Sequence, residues 1–131
     1  MRYVVDTNVI FSALYDMSSN AGELLFLAIE KELELFSTEH VCEELRDILI
    51  EKLGYSVNGI DALMKALPVE WVEREIYEDN MQKALEVLSD EADASLLACG
   101  AAMRCEVITG DRKVLSSRFK NVKVRTLRDV I

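Results

Sequence analysis

Short apolar segments that end in polar or acidic residues alternate along this chain with segments of helical periodicity. Tyr3-Val4-Val5 runs into Asp6, and Glu106-Val-Ile-Thr109 runs into Gly110 and Asp111. A short apolar run that opens into a polar loop is typical of a buried parallel strand. Strands that alternate with helices favour an α/β domain with a mostly parallel sheet and helices on both faces.

Three further segments are predicted to be extended. Leu33-Glu-Leu-Phe36 indicates a second strand, Pro68 to Val72 a short strand, and Val122 to Arg125 a strand near an edge of the sheet. The residues after Asp6 and residues 55–59 are predicted to be loops.

Helices are predicted where apolar spacing and end signals coincide. They are a helix opened by a capping box at Asn20 to Glu23, a helix capped by Ser37 or Thr38 and ended by Gly54, helices over 60–67, 81–88 and 90–103, and a short helix around Val114-Leu115.

The size and composition are those of an ordinary globular domain. Of the 131 residues, 50% are hydrophobic and 30% charged, and a chain of this length buries enough surface to fold without a disulfide or structural metal. We therefore expect one domain over 1–131. The longest apolar run, Leu24 to Ile29, is too short to cross a bilayer, and Met1 leads into a strand rather than a signal peptide. These features predict a cytoplasmic protein.

Cysteine and histidine offer little chemistry. Cys42, Cys99 and Cys105 form no CxxC pair, so we expect reduced, partly buried thiols and no zinc site. His40 is the single histidine, and its place at the start of a predicted helix favours a surface or capping role over a catalytic one.

Charge is divided unevenly along the chain. It has 24 acids and 15 bases, a net charge of −9, yet residues 104–131 contain 8 bases and only 3 acids. An acidic protein repels nucleic acid on average, so a polyanion would need this basic region or metal ions. Arg112 and Lys113 directly follow Asp111, which favours phosphate contact, whereas Lys120 and Lys123 are predicted to be solvated surface charges.

Four acids can reach the same end of the sheet. Asp6 and Asp111 follow strands, where ligands of open parallel sheets bind, although an aspartate there is also a common turn or capping residue. Asp93 lies in a first helical turn, where the helix dipole alone would also favour it. Glu44 lies beside an apolar helix stripe, a less ordinary place for a carboxylate.

The order and spacing of four motifs resemble those of the PIN-domain nucleases over nearly the whole chain. The motifs are Asp-Thr-Asn-Val from Asp6, Glu-Leu-x-x-Ile-Leu from Glu44, Asp-x-x-Leu-Leu-Ala from Asp93, and Ile-Thr-Gly-Asp-x-x-x-Leu from Ile108. Glu44 is preferred to Glu43 because Leu45 matches the motif. The resemblance implies a three-layer α/β/α sandwich.

By this resemblance, Asp6, Glu44, Asp93 and Asp111 are the metal-binding and catalytic acids, and Thr7, Asn8 and Thr109 line the site. The implied activity is metal-dependent endonucleolytic hydrolysis of single-stranded RNA. Many small members are VapC-like toxins, which implies an antitoxin partner and a homodimer.

Elementary electrostatics agrees with a metal site. Four converging carboxylates repel, so at least one should have a raised pKa in the absence of a cation. Oxygen-only ligands favour Mg²⁺ or Mn²⁺, and such a metal can lower the pKa of a bound water. One ion or a pair remain alternatives.

Two other functions remain open. A phosphatase or phosphotransferase with Asp6 as nucleophile is disfavoured, because Asn8 stands where a second acid is expected and Arg112-Lys113 follow Asp111. The other is a catalytically silent PIN fold that serves as an interaction module, against which the presence of all four acids argues.

Overall fold

The computed structural model describes all 131 residues and contains a five-stranded parallel sheet. In chain order the strands are β1 (Arg2–Val5), β2 (Glu34–Thr38), β3 (Glu70–Val72), β4 (Glu106–Ile108) and β5 (Val124–Arg125). Their order across the sheet is β3-β2-β1-β4-β5, and every neighbouring pair is parallel. The predicted α/β fold is therefore confirmed.

Eight helices connect and follow these strands. They are α1 (Thr7–Tyr15), α2 (Asn20–Ile29), α3 (Glu39–Leu53), α4 (Val57–Ala66), α5 (Arg74–Val87), α6 (Glu91–Met103), α7 (Arg112–Leu115) and α8 (Leu127–Val130). The β1 to β2 and β2 to β3 connections step one way across the sheet, and β3 to β4 and β4 to β5 step the other way. Right-handed crossovers then place α1–α4 on one face and α5–α7 on the other.

One continuous apolar core joins the sheet to its helices. Val4 and Val5 of β1 and Val107 and Ile108 of β4 are completely buried, as expected for central parallel strands. All three cysteines are free thiols, and burial raises the pKa of Cys99 to about 12. No helix is long and apolar enough to span a bilayer.

The point where the chain reverses its direction of winding lies between β1 and β4. These strands are neighbours, with Val5 opposite Ile108, but the connections that leave them step to opposite sides. A crevice forms at the carboxyl ends of such a strand pair, and ligands bind there in open α/β sheets. Asp6 and Thr109 are the residues that directly follow this register pair.

A loop was predicted after Asp6, and that prediction is wrong, because α1 begins at Thr7. Asp6 caps this helix by accepting a hydrogen bond from the backbone N–H of Asn8 at 3.0 Å. The β-branched residues near its start have low helix propensity, but α1 buries Val9, Ile10 and Ala13. Packing of that face outweighs local preference.

Several predicted helix ends also differ from the structure. Ser19, not Asn20, caps α2, by accepting from the N–H of Gly22 at 3.2 Å. Ser56 caps α4, so the helix begins at Val57 rather than at 60. The start of α5 was missed by seven residues because Arg74 to Asn80 is largely polar, and its burial depends on packing against α6. Thr38, Gly54 and Asp90 occupy their predicted caps.

Candidate active site

Asp6 is a buried carboxylate at the carboxyl end of the central strand. Asp6 is only 4% exposed, and its two carboxylate oxygens accept hydrogen bonds from different donors. Oδ1 accepts from the N–H of Asn8, and Oδ2 accepts from the hydroxyl of Thr109. Burial raises the pKa of Asp6 above its ordinary value, opposed by these hydrogen bonds and reinforced by the negative charge of Asp111.

Thr109 connects Asp6 to Asp111. It is fully buried at the end of β4, and its Oγ1 also accepts a hydrogen bond from the N–H of Asp111 at 3.0 Å. Asp111 caps the short helix α7 through Oδ1, which accepts from the N–H groups of Lys113 and Val114 at 2.8 and 3.1 Å. Both bonds use one oxygen, so Oδ2 has no protein donor.

Asp93 reaches the same end of the sheet from the first turn of α6. Asp90 caps that helix by accepting from the N–H of Asp93 at 3.0 Å. The turn is tied to β2 by a hydrogen bond between Thr38 Oγ1 and Ser95 Oγ at 2.7 Å. This buried contact was not predicted, and only the polar end of β2 in the sequence hinted at it. It ties α6, two residues after Asp93, to the end of β2.

The four predicted acids share one electrostatic environment. The pKa of Asp93 is raised to about 7, first by burial, then by the charges of Asp90, Asp111, Asp6 and Glu44. Glu44 lies on the exposed side of α3, and Glu43 is not among the charges that raise this pKa. The charges of Asp6, Glu44 and Asp111 therefore all act on Asp93, even though the four acids come from separate segments.

The donor chemistry suits a hard divalent cation, although the carboxylates are spread apart. No three histidine, cysteine, aspartate or glutamate side chains gather closely enough to enclose an ion, and mutual repulsion of like charges favours such spreading. Beside Asp6, Thr7 is 1% exposed and its Oγ1 is the one buried side-chain polar atom without a hydrogen-bond partner. Thr7 and Asp111 Oδ2 thus leave oxygens available to a cation or its water ligands.

His40 does not have the predicted surface role. It is in the first turn of α3, but it is only 8% exposed because α5 covers it. Nδ1 lies 2.7 Å from the hydroxyl of Tyr77, and Nε2 lies 2.7 Å from Nη2 of Arg74. Both partners lie on α5, more than 30 residues away in sequence, so local patterns could not indicate this burial.

Side chains of α5 engage both ring nitrogens of His40. A guanidinium only donates hydrogen bonds, so Nε2 accepts from Arg74, and Nδ1 shares its hydrogen bond with the hydroxyl of Tyr77. Nε2 also lies 3.8 Å from Oε2 of Glu91. These contacts favour a structural role for His40.

We expect His40→Ala to lower stability and leave the cleavage rate within a few-fold of wild type. The change removes one buried and one partly buried hydrogen bond, which costs about 1 to 3 kcal/mol in the free energy of unfolding. Urea denaturation gives the stability, and initial cleavage rates at a temperature where the variant stays folded give the activity. Tyr77→Phe is the matched control, since it removes one of the same bonds. A hundredfold loss of rate in the folded variant would instead make His40 a proton-transfer group.

Comparisons with known proteins agree with this architecture. An uncharacterised protein of Methanocaldococcus jannaschii is 25% identical over 122 residues, which are 92% of this chain and 77% of that protein. The fold is similar to VapBC2 from Rickettsia felis, solved bound to a DNA fragment from their promoter, with a TM-score of 0.68, 18% identity, and coverage of 96% of this chain and 98% of that one.

A second solved structure, PAE2754 from Pyrobaculum aerophilum, has a TM-score of 0.64 and 15% identity and covers 99% of this chain and 86% of that one. The PIN domain family model matches residues 2–113, a range that contains all four acids. The chain therefore belongs to the PIN domain family.

Proposed function

We propose that this protein is a metal-dependent endoribonuclease that hydrolyses phosphodiester bonds of single-stranded RNA within one domain over 1–131. The observation that carries the proposal is Asp93 at the β1/β4 crevice, where the charges of Asp6, Glu44 and Asp111 also act. The pKa of Asp93 is raised to about 7, first by burial and then by the charges of Asp90, Asp111, Asp6 and Glu44. A strongly perturbed acid in a crevice is characteristic of functional sites.

In this proposal the four carboxylates hold Mg²⁺ or Mn²⁺, the ions that oxygen ligands favour. When bound, such an ion lowers the pKa of water and offsets negative charge on the scissile phosphate. The protein's part is positioning. Thr109 orients Asp6 and the backbone of Asp111, and the link from Thr38 to Ser95 ties the helix that contains Asp93 to the sheet. In this proposal Thr7 and Asn8 line the crevice beside Asp6.

The decisive experiment incubates the chain with a mixed pool of single-stranded RNA and Mn²⁺, with and without a chelator, and maps the cut ends. We expect internal cuts that the chelator abolishes and that excess Mn²⁺ restores. Asp6→Asn, purified identically, is the control for contaminating nucleases. RNA binding without cleavage by the wild-type chain would favour a silent interaction module, and release of phosphate from monoesters would favour another phosphate hydrolase.

The toxin assignment is a further part of the proposal. The fold is similar to VapBC2, a complex solved on promoter DNA, which supports an antitoxin partner for this chain. We propose a cytoplasmic homodimer that this partner inhibits. Co-expression tests it, since growth arrest by the chain alone, and rescue by a neighbouring reading frame, are expected.

Arg112 and Lys113 are proposed to contact substrate phosphates near the acids. Both are exposed at the start of α7, directly after Asp111. We expect the Arg112→Gln/Lys113→Gln variant to bind RNA more weakly and to flatten the dependence of log affinity on log salt by up to ~1.4, since each single-strand phosphate contact contributes ~0.7. Affinity is measured in an Asp6→Asn background, and an unchanged slope would contradict the assignment.

A further inference from the structure

A basic cleft of about 550 Å³ lies at the opposite end of β4 from the acids. Its walls are the end of α6 and the segment that leads into β5. Three cations line it, Arg104, Lys120 and Lys123, together with the amide of Asn121. The acid in its lining is Glu106, whose Oε1 lies 3.3 Å from Nε of Arg125. The charge of Glu106 is thus largely offset, and the cleft is positive.

The three cations are available to a ligand. Each residue is exposed, and none of them forms a salt bridge with a carboxylate. The ammonium of Lys120 donates to the side-chain oxygen of Asn80, a neutral partner that leaves its charge uncompensated. Three unpaired cations around one cleft are unexpected in a chain with a net charge of −9.

Backbone contacts hold the cleft in shape. The N–H of Val107 donates to the carbonyl of Lys123 at 2.9 Å, which ties β4 to the opposite wall. Gly100 forms the close contact at its base, since a Cβ there would lie 3.0 Å from side-chain atoms of both Val107 and Val122. Arg104 ends α6 in a left-handed conformation with φ 54°. Arg104 therefore follows directly on a helix and Lys123 is tied to β4, and Lys120 lies in a turn in which the N–H of Val122 donates to the carbonyl of Phe119 at 3.0 Å.

The connection from Asp111 to β5 carries a series of cations between the acids and this cleft. Because β4 and β5 are parallel, the chain between them must return along the full height of the sheet. That connection contains no acid after Asp111, and its exposed cations are Arg112, Lys113, Arg118, Lys120 and Lys123. Lys123 lies beside Val107 of β4, and Val107 precedes Asp111 by four residues. At the rise of a strand, the distance from Lys123 to Asp111 is therefore about 13 Å.

We infer that the cleft of Arg104, Lys120 and Lys123 binds the phosphate backbone of single-stranded RNA a few nucleotides away from the bond that is cut, with the RNA lying along the β4–β5 connection. The identification of RNA rests on the proposed function. Cationic side chains and a neutral amide contact phosphate without reading bases, so this site contributes affinity and register rather than sequence preference. The cations between the cleft and the acids favour a polyanion with a phosphate at every residue over an acidic peptide. A peptide could bind in the cleft without contacting the cations that lead to the acids.

The test compares RNA binding by cleft and control variants in an Asp6→Asn background. The cleft variant is Arg104→Gln/Lys120→Gln/Lys123→Gln. The matched control, Lys52→Gln/Lys65→Gln/Lys83→Gln, removes the same charge from exposed helix positions elsewhere. Each is titrated with RNA of two nucleotides and of about twelve nucleotides over a range of salt concentrations, because a dinucleotide is too short to span from the acids to the cleft.

For the longer RNA we expect the cleft variant to flatten the salt slope by up to ~2, three contacts of ~0.7 each, and the control to change it by less than ~0.5. For the shorter RNA, the salt slope should change equally in the cleft variant and in the control variant. Equal effects of cleft and control on the longer RNA would overturn the inference, and so would competition by poly-aspartate as effective as competition by RNA. If the triple variant does not fold, Lys123→Gln alone should lower the slope by ~0.7.

This outcome is separable from that of the proposed function. Absence of metal-dependent cleavage by the wild-type chain, with length-dependent RNA binding that requires the cleft, would reject the nuclease and retain the binding site. Chelator-sensitive cleavage with unchanged binding by the cleft variant would retain the nuclease and reject the site.

Discussion

Asp6→Asn is expected to reduce metal-dependent RNA cleavage by about a hundredfold or more, beyond the loss typical of a residue that only supports a metal ligand. The substitution removes a negative charge and one carboxylate oxygen at the β1/β4 crevice. It keeps a side-chain oxygen that can accept from the N–H of Asn8 and cap α1, and asparagine is a good N-cap. Initial rates on the mixed RNA pool with Mn²⁺ measure the effect.

The same variant distinguishes a catalytic from a structural role. Burial raises the pKa of Asp6, so its charged form is disfavoured in the folded protein, and the neutral amide should change the free energy of unfolding by no more than about 1 kcal/mol. Asp16→Asn is the control, because Asp16 is an exposed aspartate near the other end of α1. Wild-type cleavage by Asp6→Asn, or a large loss of melting temperature, would reject Asp6 as a metal ligand.

Asp93→Asn is expected to abolish cleavage and, without metal, to raise the melting temperature at pH 8. The pKa of Asp93 is about 7 in the folded chain against an ordinary value of 3.8. Between these values the folded state binds more protons than the unfolded one, so this residue makes stability fall as pH rises from about 4 to about 7. The loss of folding stability caused by deprotonated Asp93 is complete above about pH 7 and absent below about pH 4.

Thermal melts at pH 4 and pH 8, with a chelator and with Mn²⁺, test this sign. At pH 8 with chelator the variant should melt higher than wild type, by about 3 to 5 °C for each kcal/mol of penalty removed. At pH 4 the two should melt together, and Mn²⁺ should stabilise wild type more than the variant. Glu91→Gln is the control, an exposed acid in the same turn of α6. A variant that melts no higher at pH 8 would contradict the raised pKa.

Residues next to strands could be placed from local patterns. Asp6 and Asp111 each follow a short apolar run, and the parallel sheet brings such positions to one edge whatever the details of packing. The cap of α6 at Asp90, and hence the place of Asp93 in its first turn, also follows from local signals. Helix α1 could not be predicted from local patterns, because its first residues have low helix propensity and the burial of Ile10 outweighs that preference.

Contacts between distant segments decided the rest. The burial of His40 depends on Tyr77 and Arg74, and the bond from Thr38 to Ser95 ties α6, which contains Asp93, to the end of β2. Lys120 and Lys123 were predicted to be solvated surface charges and are exposed, and the end of α6 brings Arg104 to the same cleft. Sequence alone determined which residues flank the strands and cap the helices, since neighbours in the chain set those preferences. Only the tertiary structure decided which of these residues share a site, because burial and charge coupling arise between segments that are tens of residues apart.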